Sequence, residues 1–147
     1  MPGTGRKFTV ALVTPDGPAY EGDAEMVVVP GAAGEIGVLA RHAPLVATLK
    51  AGSTRVYDSV DDDQVVEFAT GPGFFKVELD RAIALVDDAV DAREIDDERA
   101  RRQLEQAKAE LERVEGGEDS GADRWQLEQR VAHAENQLRV AGRGQPE

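Results

Sequence analysis

The sequence predicts an α+β chain: an N-terminal antiparallel β-sandwich, or flattened barrel, followed by a C-terminal antiparallel two-helix hairpin. Three observations carry this. Before residue 90, apolar residues recur at period two in short runs that end at glycine and proline. After residue 90 they recur at alternating steps of four and three, the spacing of a helix face. Composition changes at the same place: Trp125 is the one aromatic beyond it, and no proline lies between Gly73 and Gln145. The 147 residues divide into a sandwich over 1–88 and a helical hairpin over 89–147.

Taken in order, Phe8, Val10 and Leu12 alternate with Lys7 and Thr9, which predicts a first strand with one buried face. Further strands follow at 26–29, 35–39, 45–49, 53–58 and 64–69. Phe75, Val77 and Leu79 then alternate with Lys76, Glu78 and Asp80, and a last strand covers 82–86. Asp16-Gly17, Pro30-Gly31, Ala51-Gly52 and Gly71-Pro72-Gly73 supply turns between them. Eight or more strands at this spacing suit a sandwich or flattened barrel, in a length that just suffices to bury a core.

The first helix, about 96–115, carries Ala100, Leu104, Ala107, Leu111 and Val114; the second, about 123–141, carries Leu127, Val131, Ala134, Leu138 and Ala141. Asp96 suits an N-cap, with Asp97 and Glu98 in the first turn favoured by the helix dipole. Asp123 reads as a second N-cap with Gln126 as its capping-box partner, Gly142 as a stop, and residues 116–122 as the connecting loop. Four of the ten stripe positions are alanine, so little apolar area holds the hairpin together. A buried Leu or Val contributes about 1.5 to 3 kcal/mol, against roughly 1 to 2 kcal/mol of backbone entropy for each residue ordered. A marginal, detachable hairpin is expected.

Several chemistries are excluded. A net charge of −12 opposes sequence-independent binding to nucleic acid, and zero cysteines leave no thiol nucleophile, disulfide or thiolate metal site. No stretch approaches the roughly 20 apolar residues that span a bilayer, so a soluble cytoplasmic protein without direct membrane insertion is expected. Gly31, Gly34 and Gly37 have the wrong spacing for a phosphate loop and suit turns and bulges. Asp61, Asp62 and Asp63 lack the alternation of a calcium loop and suit a hairpin turn. His42 and His133 stand in no nucleophile motif, so no catalytic residue and no metal site are assigned.

The run Val27-Val28-Val29-Pro30-Gly31-Ala32-Ala33-Gly34-Glu35-Ile36-Gly37-Val38-Leu39-Ala40-Arg41-His42-Ala43-Pro44-Leu45-Val46, followed by Leu49-Lys50-Ala51-Gly52, is long and specific. With the Gly-x-Gly-Phe pattern at 71–74, Ile95-Asp96-Asp97-Glu98-Arg99-Ala100 and Leu138-Arg139-Val140, it resembles the epsilon subunits of the F-type rotary ATP synthase, called delta in mitochondria. The resemblance covers residues 7–142. It implies a non-catalytic rotor subunit of the central stalk, coupling proton-driven rotation to ATP synthesis, peripheral at the cytoplasmic face of the bacterial plasma membrane. Its partners would be the gamma subunit, the c-subunit ring and the alpha/beta catalytic head.

The resemblance places Glu35 and His42 at the interface with gamma and the ring. It implies a hairpin that extends along gamma to inhibit ATP hydrolysis, with Arg130, Arg139 and Arg143 facing the head. For Arg139 and Arg143, complementing the helix dipole is the competing role. Some members bind ATP through an Ile/Leu-Asp-x-x-Arg-Ala motif, which Asp96 and Arg99 complete here. His133 and Gln137 stand where those members supply arginines, so no cofactor is required and ATP is expected to bind weakly or not at all. The alternative reading is a free-standing ATP-sensing regulatory module, which stable assembly with gamma would distinguish.

Overall fold

A computed structural model describes residues 6–61, 64–114 and 121–144, with the side chains of 121–123 and 142–144 left aside. Ten strands form one continuous, nearly closed sheet: β1 (Phe8–Thr14), β2 (Gly17–Ala24), β3 (Met26–Gly31), β4 (Gly34–Leu39), β5 (Leu45–Leu49), β6 (Gly52–Ser59), β7 (Gln64–Thr70), β8 (Gly73–Glu78), β9 (Arg81–Val86) and β10 (Ala89–Asp91). A 3₁₀ turn (Ala92–Glu94) leads to α1 (Asp97–Arg113) and α2 (Gly121–Gly144). The predicted fold class is the observed one. Two compact units result, Met1–Ala92 and Arg93–Glu147.

The strand order is β10-β7-β6-β3-β5-β8-β9-β1-β2, with β4 paired to β3 and β1 parallel to β9. Period-two patterning explains the core: Phe8, Val10 and Leu12 of β1 and Phe75 and Val77 of β8 point inward, joined by Val27, Val29, Val38, Leu49, Val56 and Phe68. Leu79, expected to share that face, is 71% exposed. The reason is that β8 ends at Glu78, paired with Arg81, and the chain turns over Leu79 and Asp80, whose φ is 50°.

Two strands escaped the sequence reading. β2 carries Tyr20 as its one large side chain among glycines and acids, and β10 is three residues long. β10 pairs with β7, which extends the strand unit past the boundary read at Asp88 to Ala92.

β3 bridges the two halves of the sandwich. Met26 to Val28 pair with β6, whereas Gly31 pairs with Leu49 of β5 on the same side. Pro30 sits where this neighbour changes: its carbonyl accepts from the Lys50 N–H at 2.9 Å, and a Cβ on Gly52 would lie 2.8 Å from Pro30 Cβ. Glycine at 52 lets the corner close over the proline ring.

The other seam is closed by Lys7 Nζ, 2.9 Å from Asp58 Oδ1 of β6, and by Tyr20 of β2 edge-on to Phe68 of β7 at 6.4 Å. The hydrogen bond to Asp58 holds the Lys7 ammonium above its usual 10.5; burial, then the charge of Asp58, pushes the Tyr20 phenol above its usual 10.0.

The helices pack antiparallel. Asp96 caps α1 as predicted, its backbone extended (φ −92°, ψ 105°) and its Oδ1 accepting from the Arg99 N–H at 3.1 Å. Ala100 and Ala107 of α1 and its C-cap Val114 are buried, as are Leu127, Ala134, Asn136, Val140 and Ala141 of α2. In an antiparallel pair Ala100 would fall level with Ala141, Ala107 with Ala134, and Val114 with Leu127, a register with which the exposed Arg130–Glu110 ion pair at 3.8 Å agrees. Two of the three layers are alanine on alanine.

α2 is longer than predicted at both ends. Asp123 lies inside its first turn rather than at the cap, and Gly142 does not stop it, since a single glycine in a last turn costs only about 1 kcal/mol. Of the predicted loop, Gly121 and Ala122 are helical and residues 116–120 lie outside the described residues, as do Asp62 and Asp63 of the acidic turn.

Candidate functional site

The predicted site residues fall on three separate features. Glu35 is the second residue of β4, beside the two-residue turn that joins it to β3. Its Oε2 accepts from Nη2 of Arg55 in β6 at 3.1 Å; the carboxylate side chain is 57% exposed and the guanidinium 23%. Such a pair adds little to stability, about 0 to 1 kcal/mol, but it aims the carboxylate.

His42 stands at the opposite end of β4, in the turn to β5, where Arg41 takes φ 66°. Its ring Nδ1–H donates to the Ala43 carbonyl at 2.6 Å, and its backbone N–H to Leu39 O at 3.3 Å. Leu39 lies four residue steps along the strand from Glu35, about 13 Å at roughly 3.3 Å per step, so the structure does not bring Glu35 and His42 together. They mark two ends of one edge strand.

Asp96 and Arg99 lie at the start of α1, where the Asp96 carboxylate is occupied with capping. Between the helices is a cleft of about 400 Å³ whose wall includes Gln103, Glu110, Arg130, His133 and Gln137. His133 and Gln137 therefore share one wall with Arg130, whereas Asp96 and Arg99 are not part of it. Arg130 faces Glu110 across the cleft, which offsets its charge. Arg139, exposed, donates from Nη1 to Asn136 Oδ1 at 3.4 Å. The Arg143 side chain lies outside the described residues. Among the described residues, no group of three His, Asp or Glu is placed to hold a metal, and no helix is long and apolar enough to cross a membrane.

Sequence reasoning missed an apolar outer face. Phe74 is 61% exposed, directly between Thr48 of β5 and Leu85 of β9, with exposed Val46 one step along β5. The signal was present: in the pair Phe74-Phe75, adjacent strand residues face opposite ways, so one ring had to point outward. Arg55 was missed because nothing local links it to a carboxylate twenty residues earlier.

Residues 7–92, the whole sheet, match the family model described as the ATP synthase Delta/Epsilon chain, beta-sandwich domain. The chain belongs to the ATP synthase delta/epsilon family. Its relatedness continues through the helices: it is 39% identical over 145 residues to the ATP synthase epsilon chain of Rubrobacter xylanophilus, covering 97% of each chain. With the epsilon chain of Halalkalibacterium halodurans it is 40% identical over 134 residues, 91% of this chain and 96% of the relative.

Among solved structures, a chain in the Euglena gracilis mitochondrial ATP synthase OSCP/F1/c-ring assembly superposes with a TM-score of 0.69 at 23% identity, over 88% of this chain and 78% of that one. A chain of the Tetrahymena thermophila mitochondrial ATP synthase central stalk and c-ring gives 0.55 at 15% identity, over 92% and 97%. These two share the fold of an epsilon-family chain.

Proposed function

We propose that this chain is the epsilon subunit of the central stalk of a bacterial F-type ATP synthase, a non-catalytic rotor component. The observation that carries the reading is the 39% identity to an epsilon chain across 97% of both chains, helices included. The sandwich is the anchor: its apolar outer face at Val46, Phe74 and Leu85 suits a large protein partner, here gamma, and the exposed β4 with Glu35 and His42 at its ends suits the polar loops of the c-ring. The subunit is held at the cytoplasmic face of the plasma membrane by those contacts.

The hairpin is the regulatory element, inhibiting ATP hydrolysis when it extends toward the alpha/beta head. A switch needs two states within a few kcal/mol, and a hairpin with two alanine layers out of three supplies a small gap. Arg130, Arg139 and Arg143 supply its positive contacts to the head. ATP is at most a weak ligand: the Asp96 carboxylate serves the helix cap, and the cleft pairs Arg130 with Glu110 and carries His133 and Gln137 in place of fixed positive charge. Co-expression with gamma tests the anchor: a stable complex that survives gel filtration is expected, and separate elution overturns the reading. Reversing the three arginines to glutamate should raise hydrolysis by the assembled enzyme; unchanged hydrolysis removes the electrostatic contact.

A further inference from the structure

β4 pairs with β3 on one side and, among the described residues, with nothing on the other. Its register shows which backbone groups that leaves open. A two-residue turn, Ala32 and Ala33, is closed by Gly31 opposite Gly34, so the hydrogen-bonded pairs of the ladder are Gly31 with Gly34, Val29 with Ile36, and Val27 with Val38. Pro30 provides a check. Lacking an N–H, it falls in a pair that exchanges no bonds with β4, and its carbonyl points the other way, to the Lys50 N–H.

Glu35, Gly37 and Leu39 must then direct their N–H and C=O groups away from β3. The Leu39 carbonyl accepts from His42, which leaves both groups of Glu35 and both of Gly37 on an open edge. Both residues are exposed.

Apart from the charge of Glu35, this edge lacks the usual protections. Gly34–Leu39 contains no proline and no lysine, and its register with β3 runs without a bulge. At Gly37 a Cβ would meet only Val28 Cγ2, at 3.9 Å, so another backbone can approach closely. Beside the hairpin tip, a cavity of about 450 Å³ is walled by residues 31–36 together with Ala47 and Thr48 of β5.

We infer that the outer edge of β4 is a strand-addition site, paired in the assembled enzyme by an extended segment of another subunit through the backbone of Glu35 and Gly37. That segment carries a basic side chain beside the Glu35 carboxylate and a small residue level with Gly37. A second copy of this chain is the wrong occupant, because each copy brings a net charge of −12 to the contact. The inference deepens the reading that Glu35 lies at an interface and rests on it.

Residue-resolved amide exchange on the full chain, alone and in the purified assembly, is the test. In the isolated chain the Glu35 and Gly37 amides should exchange about a hundredfold faster than those of Ile36 and Val38; in the assembly they should slow to their neighbours' rate. Open amides that stay fast in the assembly, or that are already slow in the isolated chain, overturn strand addition. A Glu35→Cys variant separates the two claims: if it cross-links to another subunit while the amides stay fast, the interface stands and the strand pairing falls; if it also fails to cross-link, both fall. The Gly37→Pro variant, whose proline would occupy an outward position, should fold with an unchanged melting temperature and lose affinity for the assembly; full affinity overturns the inference.

Discussion

Replacing Leu127 by alanine is expected to loosen the hairpin and leave the sandwich alone. Leu127 is 6% exposed and is the one leucine in the three buried layers, since the other two are alanine pairs. Leucine-to-alanine changes in cores cost about 2 to 5 kcal/mol, the lower values arising where surroundings can collapse. Only Val114 stands level with Leu127, so the lower part of that range, about 2 to 3 kcal/mol, applies. At 1.4 kcal/mol per factor of ten, this shifts the hairpin's opening equilibrium by about 30- to 150-fold. Native-state hydrogen exchange reads it directly: amides of α1 and α2 should accelerate by that factor, while those of Val29, Val56 and Val77 keep their rates. Fluorescence of Trp125, the single tryptophan and a residue of α2, should report a urea midpoint lowered for the hairpin alone. Equal acceleration in strands and helices would refute the reasoning, because it would mean the two units open as one.

Three further outcomes are expected. Gly73→Ala should lower the melting temperature, since a Cβ there would overlap the Leu85 carbonyl oxygen and main chain cannot yield as a side chain can; a cost of about 1 to 3 kcal/mol is expected, and an unchanged melting temperature would contradict the packing. Alkaline pH should weaken the sandwich, because Lys7 and Tyr20 both have folded-state pKa values raised above the unfolded ones; their stabilisation is whole below the unfolded values and lost as pH rises through the folded ones. The Asp58→Asn variant should flatten the fall in melting temperature as pH rises past the ordinary values of 10.0 and 10.5, chiefly through Lys7, and parallel curves would remove Asp58 as the cause. Calorimetric titration with ATP should give no micromolar constant, because two charge-assisted bonds, each worth about 1.5 to 3 kcal/mol, have no donor at His133 and Gln137 of the kind an arginine supplies; a micromolar constant would reinstate the nucleotide-sensing role.

Much of the fold was legible because burial imposes a period. β1, β8 and β9 each show one inward face, and the helices show stripes that meet in register. β2 was illegible because its inward contribution is little more than Tyr20, and a strand held by backbone pairing to β1 needs no apolar pattern. The ends of α2 were misread because Asp123 and Gly142 are local signals, whereas helix length is set by packing along the whole pair. The site was legible in part. Asp96 announced its cap through the acids that follow it, but Glu35 and His42 stood out only through resemblance. The open edge of β4 follows from register, which a sequence does not display. The pairing of Glu35 with Arg55 joins strands that are not consecutive, so no local spacing encodes it.

If the sandwich anchors and the hairpin regulates, ATP hydrolysis by the reconstituted complex should depend on the hairpin while assembly does not. One preparation would contain the full chain and the other a chain ending at Ala92, which retains β10 and therefore the whole sheet. Equal assembly and clearly faster hydrolysis with the shortened chain are expected. Equal hydrolysis from two fully assembled complexes would contradict the hairpin's regulatory role.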